Sequence, residues 1–209
     1  MSAPTCTRCA RSLVNPQRCR ECGAFQPLDA RRDHFATLAL PRTFNVDEEA
    51  LERRVVEFSR DLHPDLAGDP SLRARAVLGA AQVNEAFGVL RDPYRRAEYL
   101  LALEGGKTST QDKSVPDGFL EQMLDERDEV EQALASGGDA VKRLEDRFEK
   151  RLFDAVLELA RGFTALAALT TPTDRAKELT VLRRTLNVMA YYRSLRRELR
   201  EALREEHRS

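Results

Sequence analysis

The sequence predicts an all-α protein, and three observations predict it. Apolar residues recur at helical intervals from about residue 34 to the C-terminal end. No alternating polar–apolar pattern of the kind that marks strands appears after residue 30. Glycine and proline number only 10 and 9 in 209 residues and fall between the periodic runs, while Ala, Leu, Glu and Arg dominate them.

Residues 1–30 contain all four cysteines, as Cys6-Thr7-Arg8-Cys9 and Cys19-Arg20-Glu21-Cys22-Gly23. Two residues between paired cysteines let both sulfurs of a knuckle face one metal, and Gly23 can take the positive φ that such a turn favours. The spacing therefore points to a tetrahedral four-thiolate site, with zinc as occupant and iron as the alternative, since the same four-sulfur geometry holds either. Such a segment has little apolar core of its own, so its folding should depend on the metal. With every metal position filled by protein, it offers no open site for catalysis. Arg8, Arg11, Arg18 and Arg20 could make a partner or nucleic-acid contact; the plainer reading is a stabilising appendage.

Each later element has its own local signals. His34 to Pro41 reads as a short helix closed by proline. Asp47 caps the next run, in which Leu51, Val55, Phe58 and Leu62 lie along one face and Arg53, Arg54, Glu57, Arg60 and Asp61 along the others. Pro64 ends that helix and pushes His63 out of helical geometry, so His63 and Asp65 project from a stiffened corner. Asp69-Pro70 opens a second run marked by Leu72, Ala76, Ala80, Val83, Phe87 and Leu90, and two such helices on a short connection should pack antiparallel. After Pro93, Tyr94, Ala97, Leu100 and Leu101 form another stripe, ended by Gly105-Gly106.

Polar residues 107–115 mark a linker. Beyond them come three longer segments. Phe119, Leu120, Met123, Leu124, Val130 and Leu134 mark the first, closed by Gly137-Gly138. Val141, Leu144, Phe148, Leu152, Val156, Leu159, Phe163 and Leu166 mark the second, ended near Thr171-Pro172. The third runs from Leu179 through Leu182, Leu186, Met189, Leu195 and Leu199 to Leu203. Short connections between long amphipathic helices predict an antiparallel three-helix bundle. The pairs 119/120 and 123/124 make the first stripe wider than one seam requires, so its surplus side should be exposed.

Lysine plus arginine total 34 and aspartate plus glutamate 35, a balance that argues against a protein that coats nucleic acid. No apolar run is long enough to span a bilayer, and the first cysteine comes too early for a signal peptide's apolar core to precede it. The expectation is a cytoplasmic protein whose cysteines are not a disulfide framework. His34, His63 and His207 are scattered and no nucleophile–base pairing is visible, so no enzyme is expected.

Leu62-His63-Pro64-Asp65 between two amphipathic helices resembles the J-domain of DnaJ-type cochaperones. Together with His34-Phe35-Ala36-Thr37-Leu38-Ala39-Leu40-Pro41, Asn84-Glu85-Ala86-Phe87, Arg96-Ala97-Glu98-Tyr99-Leu100-Leu101 and Phe119-Leu120-Glu121-Gln122-Met123, it resembles the HscB family, J-type cochaperones of iron–sulfur cluster assembly, in the versions that carry an N-terminal metal knuckle. The resemblance implies an L-shaped molecule: a metal-binding segment at 1–30, a J-domain at 33–106, a linker at 107–115 and a client-binding bundle at 116–205. It implies that His63, Pro64 and Asp65, with Arg53, Arg54 and Arg60 as a basic face, contact an HscA- or DnaK-type ATPase. It places the surface for an IscU-type scaffold on Phe119, Leu120, Met123, Leu124, Arg127 and Glu131, with Val188 and Tyr192 opposite; for each apolar residue plain core packing is an equal alternative. The metal ligands would be Cys6, Cys9, Cys19 and Cys22, and the protein a monomer without membrane or nucleic-acid partners. Leu66 departs from the basic residue that many J-domains carry there. Other readings are a J-protein for a different client and a metal-responsive regulatory helical protein.

Overall fold

A computed structural model describes residues 4–29 and 31–206, and among them it has seven α-helices, one 3₁₀ turn and no strand. Contacts divide the chain into two compact units, 1–96 and 97–209.

The first unit holds the cysteine segment followed by α1 (His34–Thr37), α2 (Glu48–Asp61), the 3₁₀ turn Pro64–Leu66 and α3 (Pro70–Leu90). Helix α4 (Pro93–Leu103) begins in it and continues into the second. The expected caps are in place: Asp47 Oδ1 accepts from the Ala50 N–H at 3.0 Å, and Asp69 Oδ1 from the Leu72 N–H at 3.0 Å. Leu51, Phe58 and Leu62 are buried against α3, whose inward face is Ala76, Gly79, Val83, Ala86 and Leu90. Small residues at 76, 79 and 86 let α2 and α3 approach closely, which the larger members of the expected stripe, Leu72 and Phe87, would not. Those two are only half-buried. Helix α1 is shorter than expected: it ends at Thr37, and the chain turns at Ala39, whose φ of +50° is left-handed, so Pro41 lies beyond the stop rather than making it.

Arg96 is buried at the start of α4, donating to the Leu90 carbonyl and lying 5.1 Å over the Phe44 ring. Burial pulls its pKa below the ordinary arginine value, with Glu48 and Asp92 opposing that shift.

The second unit contains α5 (Phe119–Ser136), α6 (Gly138–Ala168) and α7 (Pro172–Glu206), three long helices on short connections that pack as a bundle. Gly118 and Gly137 supply the positive φ of 77° and 68° at the turns into α5 and α6. Pro172 is the first residue of α7, a position that needs no N–H donor. The α6 seam is Val141, Leu144, Phe148, Leu152, Ala155, Leu159, Phe163 and Leu166; Ala155, not Val156, takes the inward position there. Gly162 is a close approach, because a Cβ there would meet Leu182 Cδ2 at 2.7 Å. Arg183, 1 % exposed, forms a fork with Glu98: Nη1 donates to Oε2 and Nη2 to Oε1, both at 2.6 Å. Its Nε donates to Asn187 Oδ1 at 3.1 Å, and Asn187 Nδ2 donates to the Asp112 and Ser114 carbonyls, which pins the end of the polar stretch onto α7. No helix among the described residues is long and apolar enough to cross a membrane.

Candidate functional sites

Three sites follow from the sequence: the His-Pro-Asp corner, the four-cysteine head and the outer face of α5. Helix α2 ends at Asp61, Leu62 turns inward and is buried, and His63 takes extended backbone angles of −64° and 132°, as the residue before a proline must. Its Nδ1 accepts from the Asp65 N–H at 3.3 Å and lies 3.4 Å from Asp65 Oδ2. In a neutral ring this leaves Nε2 as the outward donor. The His63 and Asp65 side chains are 59 % and 88 % exposed, so one donor and one carboxylate stand in solvent on a turn stiffened by Pro64. Ala67 is buried behind the corner and Leu66 exposed beside it. Of the arginines expected to flank it, Arg53 pairs with Glu49 at 3.3 Å, Arg54 with Glu57 at 3.7 Å, and Arg60 is exposed.

The head brings its four sulfurs together, all within 4.8 Å of one another. Cys6 Sγ lies 3.7 Å from Cys22 Sγ, and Cys9 Sγ 3.7 Å from Cys19 Sγ. Metal–sulfur bonds of about 2.3 Å in a tetrahedron separate the sulfurs by about 3.8 Å, so the arrangement fits a four-thiolate ion. Gly23 has the expected positive φ, 70°. The Arg8 N–H and Gln26 Nε2 both reach Cys6 Sγ at 3.4 Å, donors that hold a thiolate in place. Burial raises the Cys6 thiol, but the Cys9 and Arg8 N–H groups and the neighbouring thiols outweigh it and bring it to about 6. The Arg11 N–H lowers Cys9, yet burial and the sulfurs of Cys22, Cys6 and Cys19 outweigh it and push it up to about 12. Four thiols this close lose all their protons only to a cation. Apart from these sulfurs, the head's apolar cluster is Leu13 and Ala24, and its other buried side chains include the polar Asn15, Gln17 and Gln26.

The sequence did not reveal where the head sits within its unit. Arg20 Nε donates to Asp61 Oδ2 at 2.8 Å, Asn15 Nδ2 to the same oxygen at 3.2 Å, and Arg18 Nη1 to the Asp61 carbonyl at 2.8 Å. Arg20 Nη2 also reaches Glu57 at 3.4 Å. Arg18 and Arg20 therefore hold the head to α2 rather than facing a partner. Gln17, 2 % exposed, lies against Gly79 of α3, where a Cβ would sit 2.3 Å from its Oε1. The signal available in the sequence was a pair of arginines in the head and two acids on the last turns of α2, which many pairings would satisfy.

The residues expected to form a scaffold surface divide in two. Leu120 and Leu124 are 65 % and 70 % exposed, one turn apart on α5, and Arg127 and Glu131 continue that face as an ion pair at 3.4 Å. Arg127 also pairs with Glu198 of α7 at 2.7 Å. Phe119 and Tyr192 instead lie in the core, with ring centroids 5.9 Å apart edge to face, while Met123 and Val188 are half-buried. Tyr192 Oη and Gln122 Nε2 both donate to Glu126 Oε1, at 3.1 and 2.9 Å, and burial beside Glu126 pushes the Tyr192 phenol up to about 12. His207 lies outside the described residues.

No family model matches the sequence. Among solved structures, the human co-chaperone protein HscB aligns over 94 % of this chain and 97 % of its own, with a TM-score of 0.75 at 20 % identity. This is the HscB fold. The chaperone HscB of Vibrio cholerae aligns over 81 % of this chain and 96 % of its own at 26 % identity and a TM-score of 0.61. The Jac1 co-chaperone of Saccharomyces cerevisiae aligns over 83 % and 95 % at 19 % identity and a TM-score of 0.60. The match to human HscB is too extensive to omit the whole four-cysteine head.

Proposed function

We propose that this chain is a J-type cochaperone of iron–sulfur cluster assembly, which stimulates the ATPase of an HscA- or DnaK-type chaperone and presents to it an IscU-type scaffold. The observation that carries the reading is the exposed His63-Pro64-Asp65 corner at the end of a helical hairpin, within a chain of HscB fold.

In this reading residues 33–106 are the J-domain, 107–115 a linker and 116–205 the client arm. His63 Nε2–H and the Asp65 carboxylate are the groups offered to the chaperone, and a fixed guanidinium there would suit Asp65 as a charge-assisted partner. Arg53, Arg54 and Arg60 add positive charge that steers association at low salt. The cochaperone makes and breaks no bond. It raises turnover by binding best the chaperone conformer competent to hydrolyse ATP, a coupling free energy that the chaperone's own catalytic groups convert into rate. Leu120 and Leu124 are the apolar centre of the scaffold contact, and Arg127 and Glu131 its charged rim. Phe119 and Tyr192 act beneath it by holding α5 in place, with Met123 and Val188 at its edge. Zinc in the head, on Cys6, Cys9, Cys19 and Cys22, is favoured over iron as a structural ion; it would supply folding energy and no reaction step. The protein would work in the cytoplasm as a monomer, without nucleic acid; a reducing compartment keeps such thiols available to metal.

The test is steady-state ATP turnover by a DnaK-type chaperone with and without this protein and an IscU-type scaffold. Stimulation that rises further with the scaffold is expected. Stimulation without any scaffold binding would move the reading to a J-protein for another client.

A further inference from the structure

We propose that the four-cysteine head is a brace for the His-Pro-Asp corner, with Asp61 as the positioning residue, so that metal occupancy of the head sets how firmly the corner is held. The inference rests on the reading above in two respects, that the head takes a metal and that the corner is the chaperone contact.

Asp61 is the last residue of α2, two before His63. Three head residues meet on it: Arg20 and Asn15 on one carboxylate oxygen and Arg18 on the backbone carbonyl. Carbonyls in the last turn of a helix have no partner inside it, so the Arg18 guanidinium supplies what the end of α2 lacks. The three donors span residues 15–20, the segment that leads into and past Cys19. Asn15 is fully buried and its Oδ1 accepts from the Gln17 N–H at 2.9 Å, which ties the segment into one shape. Arg32 Nη1 adds a bond to the Pro16 carbonyl at 3.2 Å.

Two features make this contact responsive rather than permanent. First, only Leu13 and Ala24 accompany the sulfurs in the head's apolar cluster, so a metal across the four sulfurs is the main tie that fixes residues 15–20 against the rest of the head. Without metal the arginines lose their fixed spacing. Second, the contact is polar: where the buried Gln17 side chain meets Gly79, its two amide atoms have no hydrogen-bond partner among the described residues. A buried unpaired amide costs stability, so the contact is weaker than an apolar one of equal area and opens when the head loosens. By reciprocity, whatever metal does for the corner, the corner does for metal affinity by the same factor.

The test uses the full chain loaded with zinc, and reads amide hydrogen exchange together with zinc affinity from competition with a chromophoric chelator. Stripping the metal should speed exchange at Leu62, His63, Asp65, Leu66 and Ala67 by about tenfold or more, while amides of α6 stay unchanged. Asp61→Ala should show the fast corner with zinc bound and release zinc about tenfold more readily; Asp61→Asn, which still accepts from Asn15 and Arg20 but lacks the charge, should fall between. Glu52→Ala, nine residues before Asp61 and exposed on the opposite side of α2, should alter neither. Helical circular dichroism checks that each variant folds, and the wild-type comparison with and without metal needs no variant. Corner exchange that ignores the metal, or equal zinc affinity in Asp61→Ala, overturns the brace even if ATPase stimulation is present. Coupling without stimulation leaves the brace and removes the chaperone reading. A chain that binds neither zinc nor iron removes both the metal assignment and the brace.

Discussion

Glu98 and Arg183 show how differently two ends of one ion pair can be situated. Arg183 is buried, whereas a quarter of the Glu98 side chain reaches solvent. Removing the glutamate strands a cation in the core, but removing the arginine leaves a carboxylate that water can still reach. Glu98→Ala should therefore cost about 3 kcal/mol or more by urea unfolding, and Arg183→Met, which keeps the buried volume, less. Arg127→Ala, which breaks exposed pairs with Glu131 and Glu198, should cost under about 1 kcal/mol. Equal losses for Glu98→Ala and Arg127→Ala would mean that burial is not what gives the first pair its weight. None of this was legible in the sequence, since Glu98 and Arg183 lie 85 residues apart and arginine on α7 has many acids within reach. The Asp47 and Asp69 caps, by contrast, were legible because a cap is decided within four residues.

Titration at two residues bounds the bundle's stability from both sides. Burial alone would raise the Glu145 carboxyl, but Arg196 and Arg200, each donating at 2.7 Å, outweigh it and hold the pKa below the ordinary glutamate range. A depressed folded-state pKa means stability that is present above the unfolded value and is lost as pH falls through the folded one, so thermal stability should drop in acid below about pH 4. Tyr192 has the opposite sign. Its phenol is raised from 10.0 to about 12, so its contribution is full below pH 10 and drains away between about pH 10 and 12. Tyr192→Phe should blunt that alkaline loss, as read by melting temperature against pH; an unchanged alkaline limb would place its origin elsewhere.

At the scale of the element, α5 carries two faces with separate tasks. Phe119 and Val130 are buried in the bundle, whereas Leu120 and Leu124 are not. Phe119→Ala should cost about 3–5 kcal/mol of stability. The double change Leu120→Ala with Leu124→Ala should leave the urea midpoint nearly unchanged and weaken scaffold binding at least tenfold by calorimetry, as apolar anchors at an interface centre do. Loss of stability with intact binding would assign those leucines to the core. The sequence foretold a stripe wider than one seam; it could not say which member of the pairs 119/120 and 123/124 faced outward, because adjacent residues differ by only 100° around a helix and the packing partner decides. For the same reason Ala155 displaced Val156, and Gly79 and Ala86 joined the inward face of α3. Helix number and most boundaries were legible, since caps and breakers are local.

Across the whole molecule, the long-range features were the least visible in the sequence. The cysteine spacing foretold four convergent sulfurs, which a two-residue gap nearly dictates, but the docking of residues 15–20 on Asp61 needed the fold. The head and the bundle belong to different compact units, so metal removal should melt the head's own transition and leave the bundle's intact by calorimetry. Zinc affinity should also weaken as pH falls, because thiols must lose protons to bind. The central claim concerns the corner, whose exposure leaves His63 and Asp65 open to another protein. Its most direct measurement is ATP turnover by a DnaK-type chaperone with wild-type protein and with His63→Gln. At least tenfold stimulation by the first is expected, and essentially none by the second although it remains fully folded. Equal stimulation by the two would remove the corner from the chaperone contact.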